Sequence, residues 1–410
     1  MKRFFLRHPI TNRVAVTFLI ILILLAGRYI PVPLVELEPH LSDINLSSLP
    51  WYQIPSSSLT VFSIFALGLG PWMYATILIS LFSIGSKQVA VSPRVSELRK
   101  NSLMFVLALI QGLGVAITLN YGESVKASII DDIFLVSLVM IAGAYVVSWF
   151  ANMNTAYGLG GTSLIILINI IVSQFTTFPL FFELFQSGLA LVGFLLLGWI
   201  VFALYLSVVL DQAEYRIPIQ RIAIKSDLMK EAYMPIKLNI AGGMPFMYAY
   251  TLLGFPQYIF LLLSFLFPKY GPFFQVLGSY FVLTRWEGIV FFLAILALLT
   301  VAFSFTTTIN PTDKSKEMRK SGDYIPFVRP GQPTKDYLTA IVLRIATINA
   351  IFLMCMAGIP MLASLGNPDI QPVAGLPGII MMVVGIVLTT IKEVRVARLK
   401  KRYSSLFTIE

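Results

Sequence analysis

Long apolar runs separated by short polar stretches repeat along the whole chain. A bilayer-crossing helix needs about 20 mostly apolar residues. The runs at 14–26, 59–84, 102–119, 133–151, 162–179, 184–210, 235–255, 288–309, 338–363 and 373–391 predict ten spans. A further apolar stretch at 256–268 is short and bounded by Pro256 and Pro268, so it is left outside the tally. The longest clearly polar internal segment, 310–337, is flanked by spans on both sides. Pro311, Pro326, Pro330 and Pro333 deny it one continuous helix. The spacing predicts a short helix over about 312–321 that ends at Gly322, and a new membrane helix starting near Thr334 and Asp336. Residues 324–326 and 329–330 should run extended, because a residue before proline avoids the helical region.

Composition agrees with this pattern. Of 410 residues 57% are hydrophobic and 12% charged, with mean hydropathy +0.82, which predicts an all-α polytopic membrane protein. The formal charge of +10 reads as topology rather than nucleic-acid binding. With the N-terminus inside, only Arg28, Lys126, Lys269 and Arg285 fall on the outer side and Arg344 within a span. All other Lys and Arg lie on the inner side, so the positive-inside rule puts both termini in the cytoplasm. Arg344 should snorkel to the cytoplasmic interface. The N-terminal basic-then-apolar stretch is read as the first span, because Arg28 and Ile30–Pro31–Val32–Pro33 stand where a signal peptide would have its cleavage site.

Candidate chemistry is sparse. The single Cys355 lies in an apolar run, and His8 and His40 lack metal-ligand spacing. Gly158, Gly160 and Gly161 form a GxGG without the lysine of a phosphate loop. No Asp or Glu falls at membrane depth, which disfavours an ion-coupled transporter. No catalytic residues, cofactor or metal are expected. The polar segment 36–58 is either an outer loop or a stretch folded into a protein-lined cavity. Gly68, Gly70 and Pro71 in the second span, and Gly242, Gly243 and Pro245 in the seventh, predict broken helices in both halves, a pointer to a central pathway.

Particular stretches resemble the SecY family of protein-export channels. GRYIPVP (27–33), FSIFALGLGPWMYATILI (62–79), RIPIQ (216–220), YMPIKLNIAGGMP (233–245) and RPGQPTKDY (329–337) match in order, as do Asn310–Pro311, 322–326 and 385–392. The fourth-to-fifth junction, SWFANMNTAYGLGG (148–161), lacks the family's usual charged motif, and the sixth loop is short. In these departures the chain is similar to the accessory SecY proteins of Gram-positive bacteria.

The resemblance implies two pseudo-symmetric five-helix halves, 1–183 and 184–410, with cytoplasmic loops at 211–234 and 310–337. It implies a hydrophobic pore ring at Leu69, Met73, Thr162, Ile166, Met247 and Met382, and a plug near 36–58 with Leu41, Leu46 and Leu49 turned inward. A lateral gate is implied at Gln111, Asn239 and Tyr74, with a hydrogen bond between Gln111 and Asn239. Arg329, with Arg216 and Arg221, would receive a SecA-type motor ATPase. The basic run 392–402 would meet the motor or anionic lipid. Implied partners are the accessory SecA, small SecE/SecG-like membrane subunits, other accessory Sec proteins and a serine-rich glycoprotein substrate. The alternatives are a housekeeping SecY, a small-solute transporter and a non-transporting scaffold.

Overall fold

The computed structural model describes residues 9–34, 63–83, 92–119, 129–174, 177–186, 190–221, 232–239, 242–305, 310–367 and 370–404. The candidate plug residues Leu41, Leu46 and Leu49 lie outside them.

The described residues are mostly helical. The first half contributes α1 (Pro9–Gly27), α2 (Gly70–Ser83), α3 (Pro93–Ile117), α4 (Ile129–Tyr157), α5 (Gly161–Gln174) and the short α6 (Thr177–Gln186). Then follow α7 (Ala190–Gln212), α8 (Met244–Leu266), α9 (Gly271–Ser279), α10 (Trp286–Phe303), α11 (Pro311–Ser321), α12 (Gln332–Ala363), α13 (Gln371–Ala374) and α14 (Leu376–Ser404). Among the described residues α3, α4, α7, α8, α10 and α12 are long and apolar enough to cross a bilayer, and α1, α2 and α5 are shorter apolar helices. With the apolar first half of α14, these correspond to the ten expected spans.

Four boundaries differ from the sequence reading, each for a local reason. The second span becomes helical only at Gly70, because Gly68 adopts a left-handed φ of 52° and Pro71 suits the first turn. Leu184 belongs to α6, and the sixth span starts at Ala190; α6 also straddles the expected boundary between the halves. The seventh span does not reach back to Pro235, which lies in a strand, but it runs unbroken through Pro256 to Leu266. The stretch 256–268 thus largely completes this helix, since a packed membrane helix tolerates an internal proline. Finally, α3 extends two polar turns ahead of its apolar run, starting from Ser92–Pro93.

Two-stranded sheets organise the long loops. β1 (Glu214–Pro218) pairs antiparallel with β3 (Tyr233–Lys237), and β2 (Gln220–Arg221) with β4 (Asp323–Tyr324). Their alternating side chains bury Ile217, Met234 and Ile236 against Met318, Ile325, Leu338 and Val342. The loops at 211–234 and 310–337 therefore share one small core at one end of the helix bundle. Within it α11 ends as expected at Gly322, φ 73°, and at its start Asn310 Oδ1 accepts from the Thr312 amide at 3.1 Å.

Candidate functional site: the helix junction at the molecular centre

Four helices converge where the ring is expected. Leu69 precedes α2 and Met73 lies in its first turn; Ile166 comes from α5, Met247 from the first turn of α8 and Met382 from α14. All five are at most 3% exposed and belong to one continuous apolar cluster. Their approach depends on missing side chains. A Cβ on Gly243 would stand 2.6 Å from the Met382 carbonyl, and one on Gly385 would stand 2.5 Å from the Gly243 amide. The Gly-Gly-Met-Pro start of α8 therefore rests directly on the α14 backbone. Thr251 adds a contact of 3.8 Å from Oγ1 to the Met73 sulfur. Thr162 stands apart: it occupies the first turn of α5, is half-buried, and its hydroxyl lies 3.2 Å from that of Thr155.

The loop subdomain carries the three candidate docking arginines. Arg216 is exposed on β1 with its guanidinium 4.6 Å from the Tyr233 ring centroid. Arg221 pairs with Asp323 in the β2–β4 ladder. Arg329 is exposed at the turn after β4, and its carbonyl accepts from the Thr334 hydroxyl at 2.9 Å, which fixes the turn to the start of α12. Two residues earlier, Phe327 is fully exposed and holds a left-handed φ of 67°, a conformation unfavourable for a bulky residue. Sequence reading passed over Phe327, because nothing in the string marks a phenylalanine as solvent-facing.

Comparison with known proteins fits this arrangement. The SecY family profile matches residues 63–391. The chain belongs to the SecY family. It is 39% identical over 406 residues to the "Accessory Sec system protein translocase subunit SecY2" of Streptococcus agalactiae serotype III, covering 99% of this chain and 98% of that one. It is 31% identical to the protein of the same description from Leuconostoc gelidum, covering 98% and 97%. A solved structure described as "The structure of a protein conducting channel" superposes with a TM-score of 0.69 at 14% identity, covering 98% of this chain and 95% of that one. The Sec61 chain of a canine ribosome-channel complex does so at 0.63. The ten-helix SecY fold and the likeness to accessory members, both expected from the motifs, hold.

The SecY gate expectation needs a correction. Asn239 does not bond Gln111; its Oδ1 accepts from Asn349 Nδ2 of α12 at 3.1 Å. The reason is depth. Asn239 precedes α8, whereas Gln111 faces Tyr258, which lies 14 residues into that helix, about 21 Å along its axis. Gln111 also meets Gly70, where an added Cβ would be 3.1 Å from its Oε1. Tyr74 packs at a tilt against Phe255 with ring centroids 5.0 Å apart and shares a buried cluster with Tyr258. The seam between α2, α3 and α8 thus holds a buried polar knot. Gln111 and Tyr258 interact, yet Tyr74 Oη, Gln111 Oε1 and Tyr258 Oη close no well-formed hydrogen bond among the described residues.

Another polar cluster escaped the sequence. At the fourth-to-fifth junction Asn154 is fully buried. It accepts from the Thr17 hydroxyl at 2.8 Å and donates to the carbonyls of Leu159 and Gly161 at 3.0 and 2.7 Å. The Leu159 amide closes the loop by donating to the Thr17 oxygen at 2.9 Å. An asparagine just ahead of Gly-Leu-Gly-Gly is turn chemistry, which was the available signal. Likewise Arg28, assigned to an outer segment by charge counting, is buried, with Nη2 donating to Asn169 Oδ1 at 2.5 Å.

Lys392 and Glu393 of α14 fasten the end opposite Arg28. Lys392 pairs with buried Asp211, the penultimate residue of α7, and Glu393 accepts from the Gly160 amide at 2.9 Å. Burial alone would lower the pKa of the Lys392 ammonium, but its bond to Asp211 outweighs that and raises it. Lys237 is lowered by burial and by Lys392 beside it.

Proposed function

We propose that this chain is the protein-conducting channel of an accessory Sec translocase in a bacterial cytoplasmic membrane, with both termini cytoplasmic. Its substrate on this reading is a large, serine-rich, glycosylated adhesin, and the work is done by a partner SecA-type ATPase. The observation that carries the proposal is the meeting of Leu69, Met73, Ile166, Met247 and Met382, from four separate helices, in one buried cluster. A channel for unfolded chains must stay shut to ions, and a narrow apolar ring does so because it offers an ion nothing to replace its hydration. Methionine suits such a ring, since an unbranched side chain adapts to whatever passes. Thr162, expected in the ring, stands apart from this cluster and forms no part of the seal on this reading.

The two pseudo-symmetric halves, 1–183 and 184–410, part along the seam that holds Tyr74, Gln111 and Tyr258, with the segment 36–58 as plug. Arg329, Arg216 and Arg221 meet acidic groups of the motor, for which arginine's two-pronged pairing is suited. Small SecE/SecG-like subunits brace the outer helices.

Depletion of the protein in its host, followed by comparison of the cell-surface proteome, tests the proposal. Loss of one serine-rich glycoprotein with unchanged growth is the expected result. A general collapse of secretion identifies a housekeeping channel instead, and an unchanged surface removes protein export.

A further inference from the structure

Past Asp336, Arg344 is the single charged residue of α12. It is exposed, and among the described residues no carboxylate lies within ion-pair distance of it. It lines a cleft of about 310 Å³ between the end of α7, β1 and α12. The α12 wall around Arg344 is apolar: Ile341, Ile345, Ile348 and Phe352 repeat at helical spacing down one face of the helix. Tyr215 of β1 stands at the rim, as aromatic residues do at a membrane–water boundary. The cleft also meets Asn349, which is 3% exposed. Its amide nitrogen is used by Asn239, but its Oδ1 is buried without a donor. A buried carbonyl left unpaired is unfavourable, so an occupant that brings a donor, such as the water bound to a hydrated headgroup, would suit this cleft.

The flanking surface says how an occupant arrives. Phe202, Tyr205 and Val209 on α7 and Leu343, Ile348 and Ile351 on α12 are all exposed and mostly apolar, so the cleft opens toward acyl chains. An unpaired guanidinium at headgroup level beside an apolar trough complements one class of molecule, a phosphate diester carrying fatty chains. We propose that the cleft binds one anionic phospholipid, with its phosphate on Arg344 and an acyl chain along Ile345, Ile348 and Phe352. The inference stands independently of the channel reading, since it concerns a surface away from the central cluster.

Native mass spectrometry of the purified full chain in detergent tests it, with dioleoyl phosphatidylglycerol and dioleoyl phosphatidylcholine as probes. One phosphatidylglycerol should be retained in preference to phosphatidylcholine. Arg344→Gln should reduce that retention about fivefold, the scale of one basic side chain at a charged membrane surface. Arg344→Lys should keep most of it, which separates loss of charge from loss of fold. Ile348→Trp, which fills the trough, should also release the lipid. Equal retention of the two lipids, or retention unchanged in Arg344→Gln, overturns the proposal. Displacement of the lipid by glycerol 3-phosphate alone would make this a site for a soluble anion. A photoreactive residue at Ile348 should crosslink to lipid in membranes; a crosslink to a small membrane subunit would assign the cleft to a protein helix and overturn it too.

Discussion

The carboxylate of Glu393 accepts a hydrogen bond from the Gly160 amide, 2.9 Å away, at the mouth of α5. Gly160 and Gly161 both have left-handed φ, 68° and 54°, so their amides turn outward where a helix begins and carries partial positive charge. Glu393 thereby fastens α14 to α5, the helices that carry Met382 and Ile166. Glu393→Gln keeps an acceptor but discards the charge, a loss of about 0.3–1 kcal/mol. The expected outcome is a two- to fivefold rise in ion leak through reconstituted vesicles, with fold retained. No change in leak would mean that this contact does not hold the ring.

The ring itself is tested by polarity. Met73 and Ile166 are buried in the central cluster, so replacing both with Asn places hydrogen-bonding groups where ions are to be excluded. Ion flux through proteoliposomes should rise well above that of the parent protein, whereas Met73→Leu, which conserves volume, should stay tight. A scaffold would be indifferent to both substitutions.

Which features were legible depended on whether they rest on local chemistry. The short helix over about 312–321 and its stop at Gly322 rest on residues close in sequence, and both were readable. The ten spans were readable because membrane length is written in apolar runs. The Gln111–Asn239 bond was not, because family position gives a residue's helix but not its depth against a neighbour. Asn154 meets Thr17 across 137 positions, and Glu393 meets Gly160 across 233; no local pattern carries such pairings. Pro256 misled because a proline-bounded apolar stretch reads as an end, whereas packing on α9 and α10 continues the helix through it.

Asn154 gives a stability prediction. Its side chain serves the Thr17 hydroxyl and the Leu159 and Gly161 carbonyls, all in a buried turn. Asn154→Ala leaves those groups without their partner, at a cost of about 1–3 kcal/mol. Thermal unfolding in detergent, followed by size-exclusion fluorescence, should shift clearly downward. Gly158→Ala should do the same, since its Cβ would lie 2.0 Å from Asn154 Oδ1.

On the proposed function, the loop subdomain lets docking be tested apart from the pore. Arg329 and Phe327 are exposed on one turn whose backbone is tied down by Thr334, so neither supports the fold. Arg329→Glu should abolish motor-driven export while leaving vesicles ion-tight. Phe327→Ala should weaken motor binding by about 1–2 kcal/mol, the scale of an aromatic anchor. Co-sedimentation of the ATPase with proteoliposomes measures both, and undiminished binding in each variant would remove this turn from the interface.

The last prediction concerns the seam. Tyr258 and Gln111 face each other between α8 and α3, where Gly114 brings the helices close enough that a Cβ would sit 3.3 Å from the Tyr258 carbonyl. Interhelical polar contacts in membranes average about 0.6 kcal/mol, an amount a passing signal segment can offset. A double-mutant cycle of Gln111→Leu and Tyr258→Phe, read as export rate and as seam crosslinking by engineered cysteines, should give coupling of about that size. The same cycle with Asn239→Leu in place of Tyr258→Phe should give none, because Asn239 is bonded to Asn349 at the other end of the helix.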